Sequence, residues 1–159
     1  MTERKLRPKK ARKSGGQFPR QTRRHRLLLI EDNAELAEAT AEFLRSEGLE
    51  VMIASTGNSG LQMAEAFQPE IVLCDISLPD MTGLDVARAL RKIPGAKDAL
   101  IAMHTALSER DLQTFERQPV ESVNLFLPKP LTPEKLDTIL AQLNELRRSR
   151  VSPPPINEI

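Results

Sequence analysis

The sequence of 159 residues predicts an α/β protein whose doubly wound, five-stranded parallel sheet carries five helices. Two observations lead to this fold class. Short apolar runs alternate with segments of helical periodicity, as in successive strand and helix units. One of these runs, Ile71–Cys74, contains no charged residue, which is typical of a strand covered on both faces. Because helical crossovers between parallel strands are right-handed, a three-layer sandwich is the expected arrangement.

The five predicted strands share an apolar, largely aliphatic composition and are bounded by turn-forming or polar residues. Pro69 and Pro79 flank the third of them, and the others end at acidic, hydroxyl or proline-containing segments. The strands are predicted at residues 27–30, 50–54, 71–75, 100–106 and 123–127.

The segments between the strands carry helix start and stop signals. Gly48 predicts a left-handed end to the first helix, and either Thr56 or Asn58 caps the second. Gly83 frees the backbone before the third helix, and Pro133 occupies the first turn of the last. The helices are predicted at residues 34–47, 59–67, 84–92, 109–117 and 133–148.

Charge is distributed unevenly along the chain. Residues 1–26 hold 11 Lys or Arg and one acid, whereas the remainder holds 12 basic and 21 acidic residues. We predict a disordered basic tail over residues 1–25, a folded domain over residues 26–148 and a Pro-rich tail over residues 149–159. The basic tail could bind nucleic acid or an anionic surface, and it could equally be a solubilising tail or part of a linker.

Composition narrows the range of functions. The lone Cys74 cannot form an internal disulfide, and no apolar segment approaches the roughly 20 residues that cross a bilayer. These features favour a cytoplasmic protein with no membrane partner. With 3% aromatic residues and no Trp or Tyr, a platform for stacking bases is not expected, so nucleic acid is an unlikely partner except through residues 1–25.

Functional side chains follow four of the five strands. They are Glu31, Asp32, Asp75, Thr105 and Lys129. Because the carboxyl ends of parallel strands share one edge, these groups should converge there. Mutual repulsion should raise the pKa of at least one carboxylate, and Mg²⁺ would relieve it. One carboxylate could then attack phosphorus while Mg²⁺ and Lys129 neutralise phosphoryl charge and Thr105 donates a hydrogen bond.

The motifs at these strand ends resemble a known family. They are Leu-Leu-Ile-Glu-Asp-Asn at residues 28–33, Leu-Pro-Asp-Met-Thr-Gly at 78–83, His-Thr-Ala at 104–106 and Leu-Pro-Lys-Pro-Leu at 127–131. In this order they resemble the receiver domain of bacterial two-component response regulators, over about residues 26–147. The resemblance implies a flavodoxin-like, chemotaxis-regulator-like receiver domain, either a single-domain regulator or one excised from a hybrid kinase or larger regulator.

The resemblance also implies a metal site. Asp75 matches the phosphoacceptor, and Asp32 matches the direct Mg²⁺ ligand. Glu31 matches the acidic neighbour that usually acts through water, and Ser77 matches the residue whose backbone carbonyl completes the metal shell. From the residues alone, Glu31 and Asp32 could instead simply begin a helix.

The remaining roles implied by the resemblance concern signalling. Lys129 matches the lysine that pairs with phosphate, and its bond to Pro130 is expected to be cis. Thr105 matches the hydroxyl that turns toward the phosphoryl group, and Phe126 the aromatic residue that moves with it. As alternatives, Thr105 could be a helix cap and Phe126 an ordinary core residue.

The resemblance implies a phosphorylation-activated signalling switch of a phosphorelay rather than an enzyme, since such a domain assists only its own phosphorylation and dephosphorylation. Its implied partners are a sensor histidine kinase or a histidine phosphotransfer protein and an unknown output protein, and a homodimer is possible. Two alternatives stay open. A phosphatase with an aspartyl-phosphate intermediate would need a second acid where Ser77 stands, and a phosphorylation-independent interaction or nucleic-acid-binding protein would act through the basic tail.

Overall fold

Five strands and five helices alternate along the chain in the computed structural model, which describes residues 24–106, 108–117 and 120–151. The strands are β1 Arg26–Ile30, β2 Glu50–Ala54, β3 Ile71–Cys74, β4 Leu100–Thr105 and β5 Leu125–Pro128. The helices are α1 Ala34–Ser46, α2 Gly57–Phe67, α3 Gly83–Leu90, α4 Glu109–Arg117 and α5 Pro133–Val151. The predicted α/β fold class is confirmed. The predicted tails fall almost entirely outside the described residues, so they stay predictions.

All neighbouring strands are parallel, and the sheet has the order β2-β1-β3-β4-β5. The chain leaves β1 for β2 on one side and returns to β3 on the other. In open α/β sheets the crevice at such a reversal, outside the carboxyl ends of the strands, is where ligands bind. Here it lies between the ends of β1 and β3, which pair Ile30 with Cys74.

The core lies on both faces of the sheet, because side chains alternate along each strand. Leu27, Leu29 and Leu73 pack on one face with apolar residues of α1 and α5. Leu28 and Val72 pack on the other face with residues of α2 and α3. The uninterrupted apolar strands are therefore covered on both sides, as the sequence indicates.

Side-chain caps fix where three helices begin. Asn33 accepts a hydrogen bond from the Leu36 amide at α1, and Thr82 accepts one from the Asp85 amide at α3. Thr56, one of the two predicted candidates, caps α2 in a reciprocal capping box with Ser59. At the end of α1, Gly48 has φ 91°, which confirms the predicted left-handed residue.

Three helix boundaries differ from the prediction by two or more residues, and the first is the start of α2, which begins at Gly57 directly after its cap Thr56. Helix α3 ends at Leu90 because the next amides, those of Lys92 and Ile93, bond to carbonyls only three residues back, ahead of Pro94. Helix α5 continues three residues beyond 148 to Val151, and Arg150 Nη1 ties its last turn to the carbonyl of Asp98 at 2.9 Å. Over the part of the chain that is described, no helix has the length and hydrophobicity needed to cross a membrane.

Candidate functional site

Three carboxylates meet at the carboxyl edge of the sheet. Glu31 directly follows β1 and is followed by Asp32, while Asp75 directly follows β3. One oxygen from each carboxylate lies within 4.8 Å of the others. Glu31 and Asp75 are buried, at 4% and 8% exposed, whereas Asp32 is exposed to solvent. The predicted convergence of these acids is thus present in the structure.

Lys129 places its ammonium between two of these carboxylates. Its Nζ lies 2.7 Å from Asp75 Oδ2 and 2.8 Å from Glu31 Oε2. The residue follows β5, and its amide donates to the carbonyl of Thr105 at the end of β4. The predicted cis bond between Lys129 and Pro130 is present. Three carboxylates and one ammonium leave a formal charge of −2 at this edge.

The remaining oxygens of the two buried carboxylates face backbone donors. Ser77 donates its amide to Asp75 Oδ1 at 3.1 Å, and Asn33 donates its amide to Glu31 Oε1 at 3.3 Å. The chain turns sharply after Asp75, and Gly83 packs so closely behind it that a Cβ would overlap the Asp75 carbonyl oxygen. Gly83, whose φ is not positive, is therefore needed for this close approach to the Asp75 backbone.

Charge pairing decides the titration of the site. Burial raises the pKa of Asp75, but hydrogen bonds from the Lys129 ammonium and the Ser77 amide, together with the lysine charge and the Thr105 hydroxyl, bring it below its ordinary value. Burial lowers the pKa of Lys129, but its hydrogen bonds to Asp75 and Glu31 raise it overall. The direction for Asp75 is opposite to that expected for repelling carboxylates, because Lys129 lies between two of them.

Thr105 and Phe126 lie on neighbouring strands beside this cluster. Thr105 is the last residue of β4 and is buried. Phe126 is half-buried in β5, in register with Met103, and packs against the core on the α2 and α3 face. Since residues two apart share a face of a strand, Thr105 points to the same side as Met103 and Phe126.

His104 and Cys74 are buried beside the site and need no metal role. His104 is 2% exposed, and its Nε2 has no hydrogen-bond partner within the described part of the chain. Burial, followed by the charges of Lys129 and Lys135, lowers the pKa of His104 to about 4, so the ring is neutral at pH 7. Burial and the neighbouring acids raise the pKa of Cys74, so its thiol stays protonated.

Two further residues that shape the loops around Asp75 escaped sequence reasoning. Asp80 accepts hydrogen bonds from the amides of Gly57 at 2.9 Å and Asn58 at 2.8 Å, which ties the loop after Asp75 to the start of α2. Lys135 donates to the carbonyls of Pro128 and Pro130. Asp80 lies in a Pro-Asp turn, a signal that indicates a turn but not its distant partner. Lys135 carries no such signal.

The donor set at this edge fits a hard divalent cation. Mg²⁺ prefers oxygen ligands and is usually held by one or two carboxylates with water completing the shell. Glu31, Asp32 and Asp75 supply the carboxylates, and the exposed side of Asp32 leaves access to solvent. The formal charge of −2 favours a cation in the same place. The residues present are therefore suitable for Mg²⁺.

Known proteins share this sequence pattern. The family model described as "Response regulator receiver domain" matches residues 27–141. A response regulator receiver protein of Anaeromyxobacter sp. is 37% identical over 114 residues, which cover 70% of this chain and 46% of that protein. The DNA-binding response regulator MtrA of Mycobacterium tuberculosis is 36% identical over 84 residues, which cover 53% of this chain and 37% of MtrA. The chain thus matches less than half the length of these curated relatives.

Solved structures share the fold and are similar in sequence. A CheY-like receiver domain protein from Methanospirillum hungatei has a TM-score of 0.67 and 27% identity, covering 79% of this chain and 98% of that one. The response regulator TrrA of Thermotoga maritima, solved in complex with Mg²⁺ and BeF, has a TM-score of 0.63 and 27% identity, covering 75% and 98%. With the family model matched over residues 27–141, this chain belongs to the family of response regulator receiver domains.

Proposed function

We propose that this chain is a phosphorylation-activated switch of a two-component phosphorelay, which accepts a phosphoryl group from phosphohistidine onto Asp75 with the help of Mg²⁺. The observation that carries the proposal is the position of the Asp75 carboxylate. It lies 2.7 Å from the Lys129 ammonium and within 4.8 Å of two further carboxylates, at a sheet edge that is open on the side of Asp32. Asp75 is ionised at neutral pH, as a nucleophile must be, because hydrogen bonds from Lys129 and Ser77 outweigh the burial that would raise its pKa.

The chemistry is an in-line displacement at phosphorus. A carboxylate oxygen of Asp75 forms the new P–O bond while the P–N bond of phosphohistidine breaks, and its electron pair remains on the imidazole nitrogen, which then takes up a proton. Positioning and charge neutralisation supply most of the catalysis in such transfers. Lys129 would stabilise charge on the equatorial oxygens, and Thr105 would donate its hydroxyl to one of them.

The residues that would hold Mg²⁺ are Asp32, Asp75, Glu31 through water, and Ser77 through its backbone carbonyl. When bound, the cation supplies positive charge against the phosphoryl oxygens and relieves repulsion among the three carboxylates. The loop after Asp75 would place the Ser77 carbonyl for this metal site. It is fixed at one end by the Ser77 amide on Asp75 Oδ1 and at its tip by Asp80 on α2.

Signalling would follow from a shift between two arrangements of Thr105 and Phe126. When Thr105 turns toward the phosphoryl group, the space it leaves beside β4 becomes available to the half-buried Phe126, which shares its face of the sheet. Phosphorylation would then favour one of two surfaces that already exist in equilibrium. The half-buried position of Phe126 at the margin of the core supports this assignment.

The phosphodonor would be a sensor histidine kinase or a histidine phosphotransfer protein, since receiver domains take phosphoryl groups from histidine kinases. We place the exchange in the cytoplasm, where the lone, protonated Cys74 would stay reduced. MtrA is described as DNA-binding, but the match covers only 37% of MtrA, so we do not propose DNA binding as the output of this chain. The output protein, and any homodimer, would be detected by their binding to the phosphorylated form.

The test is direct phosphorylation by a small phosphodonor. The protein is incubated with phosphoramidate and Mg²⁺, and its intact mass is recorded for wild type, Asp75→Ala and Asp137→Ala, the last being an exposed acid on α5. We expect wild type and Asp137→Ala to gain one phosphoryl group that is stable in acid and labile in base, and Asp75→Ala to gain none. Equal labelling of Asp75→Ala and wild type would refute the proposal.

A further inference from the structure

The loop that carries Lys129 is held from both sides. On the sheet side, the Lys129 amide donates to the Thr105 carbonyl at 2.9 Å. On the helix side, Lys135 Nζ donates to the carbonyls of Pro128 and Pro130, both at 2.7 Å. These two carbonyls belong to the residues immediately before and after Lys129. The ammonium of Lys135 is therefore hydrogen-bonded to the backbone on both sides of Lys129, the residue that contacts Asp75.

The place of Lys135 in its helix is unusual for a lysine. It is the third residue of α5, where the positive end of the helix dipole disfavours a cation and acidic residues are preferred. Its side chain is half-buried and folds back onto the loop instead of extending into solvent. Two short charge-assisted hydrogen bonds offset the unfavourable position. The lysine therefore lies at an unfavourable end of the helix dipole and uses its ammonium to hold two carbonyls of the loop.

We propose that Lys135 is a positioning residue for phosphoryl transfer: by holding the carbonyls of Pro128 and Pro130, it fixes where the Lys129 ammonium meets Asp75 and Glu31. The inference rests on the proposed function of Asp75 and extends it to a residue that touches neither the acids nor the phosphoryl group. Lys135 acts only through the backbone of the loop.

The loop contacts control how precisely the Lys129 ammonium is placed. Lys129 reaches Asp75 and Glu31 through a long, flexible side chain, so the position of its Nζ depends on where its backbone begins. Misplacing a charge-stabilising group by about 1 Å can cost on the order of 100-fold in rate. Without Lys135, the hydrogen bond from the Lys129 amide to the Thr105 carbonyl still holds one side of the loop, so the loss of rate should be partial.

The test compares Lys135→Met, which keeps the length of the side chain and removes its hydrogen bonds, with Lys135→Arg, which can still donate to two carbonyls. Lys92→Met, at an exposed position, is the matched control. At saturating phosphoramidate and Mg²⁺, we expect Lys135→Met to lower the rate constant of phosphoryl incorporation about tenfold. Lys135→Arg should retain most of the rate, and Lys92→Met all of it. The dissociation constant for Mg²⁺, measured by calorimetry, should fall in Lys135→Met, because a displaced Lys129 ammonium competes less for the carboxylates of Glu31 and Asp75, and it should stay at the wild-type value in Lys92→Met.

A second readout does not depend on phosphorylation. The ¹³Cε resonance of Lys129, followed by NMR, should move toward that of an exposed lysine in Lys135→Met and stay in place in Lys92→Met. A wild-type rate together with an unmoved Lys129 resonance in Lys135→Met would overturn the inference. If Lys135→Met does not fold, Lys135→Gln takes its place in both measurements. Failure of wild type itself to incorporate phosphate would instead refute the role of Asp75, while the resonance of Lys129 would still decide the role of Lys135.

Discussion

The two ends of the sheet hold inverse charge arrangements. At the carboxyl edge one cation, Lys129, lies among carboxylates, two of which it contacts directly. At the amino edge one carboxylate, Glu70, lies among basic side chains. Its Oε2 is 2.6 Å from His25 Nδ1 and 2.8 Å from Arg147 Nη2, and its Oε1 is 3.4 Å from Arg26 Nη1.

The two ends of the sheet differ in the burial of their charged side chains and in the sign of their net charge. At the carboxyl edge the excess is negative and two of the carboxylates are buried, so the arrangement attracts a cation. At the amino edge the carboxylate of Glu70 is equally buried, at 9% exposed, but the excess is positive and Arg147, at 46% exposed, reaches solvent beside a cleft of about 380 Å³. Glu70 there joins the start of β1 to the end of α5. The negative excess at the carboxyl edge is therefore buried, whereas the positive excess at the amino edge lies on a side chain that reaches solvent.

Removing Lys129 should have the largest effect on stability. In Lys129→Met, Glu31 and Asp75 would keep their negative charges in a buried place with no ammonium between them. Loss of one partner of a buried ion pair costs about 3–5 kcal/mol, so the free energy of unfolding of the metal-free protein should fall by about that amount. Mg²⁺ should then stabilise the variant more than wild type, because Lys129 no longer competes for the same carboxylates.

Urea unfolding followed by circular dichroism, with and without Mg²⁺, measures both effects in a chain that has no Trp or Tyr. Lys92→Met serves as the control for loss of a lysine charge at an exposed position. If Lys129→Met unfolds at the wild-type urea concentration and gains no more from Mg²⁺ than wild type does, the carboxyl edge holds no buried imbalance and the contrast between the two ends disappears.

The two histidines sharpen the comparison, since His25 pairs with Glu70 whereas His104 is buried with an unpaired Nε2 in the described structure. The pKa of His104 is lowered from 6.5 to about 4. As the pH falls from 6.5 to 4, His104 is therefore protonated in the unfolded state but stays neutral in the folded state. Stability should therefore be lost across that window, by about 2–3 kcal/mol for this group.

His104→Leu should remove this part of the acid sensitivity. The free energy of unfolding, measured by urea titration in chelator from pH 7 to 4, should fall less steeply in the variant than in wild type. Parallel pH profiles for wild type and His104→Leu would show that the His104 ring takes up its proton as readily in the folded state as in the unfolded one.

The composition of the carboxyl edge could be predicted from the sequence, because local sequence patterns indicate both the strands and the residues that follow them. Unbroken apolar runs such as Ile71–Cys74 indicate buried parallel strands, and topology then brings Asp32, Asp75 and Lys129 to one edge whatever the details of packing. The pairing that lowers the pKa of Asp75 could not be predicted, since it depends on a distance of 2.7 Å between side chains 54 residues apart.

Tertiary contacts also set features that no local pattern carries. Strand β5 begins at Leu125, two residues later than predicted, because Asn124 uses its side-chain oxygen to accept from the Ile101 amide and from Arg91. Lys135 contradicts the usual preference at a helix start, so its role becomes visible only with its two carbonyl partners. The Glu70 cluster joins residues 25, 26, 70 and 147, and their spacing in the sequence gives no sign of it.

Replacing Glu70 should have the smallest effect of the three changes and tests the amino edge directly. Burial raises the pKa of Glu70, but hydrogen bonds from His25 and Arg147 and their charges bring it below its ordinary 4.5. A carboxylate with a lowered pKa stabilises the fold above its unfolded pKa, and that stability is lost as the pH falls through the folded value. Glu70→Gln should therefore cost about 1 kcal/mol at pH 7, and its difference from wild type should shrink below pH 4.5.

Phosphoryl incorporation decides whether the amino edge is purely structural. Glu70→Gln should incorporate phosphate from phosphoramidate at the wild-type rate, because Glu70 lies at the opposite end of the strands from Asp75. A slower rate in a variant that is fully folded by circular dichroism would mean that the end of α5 communicates with its first turn, where Lys135 holds the Lys129 loop. The two ends would then be one coupled system, and the excess charge at the amino edge would need a functional explanation as well.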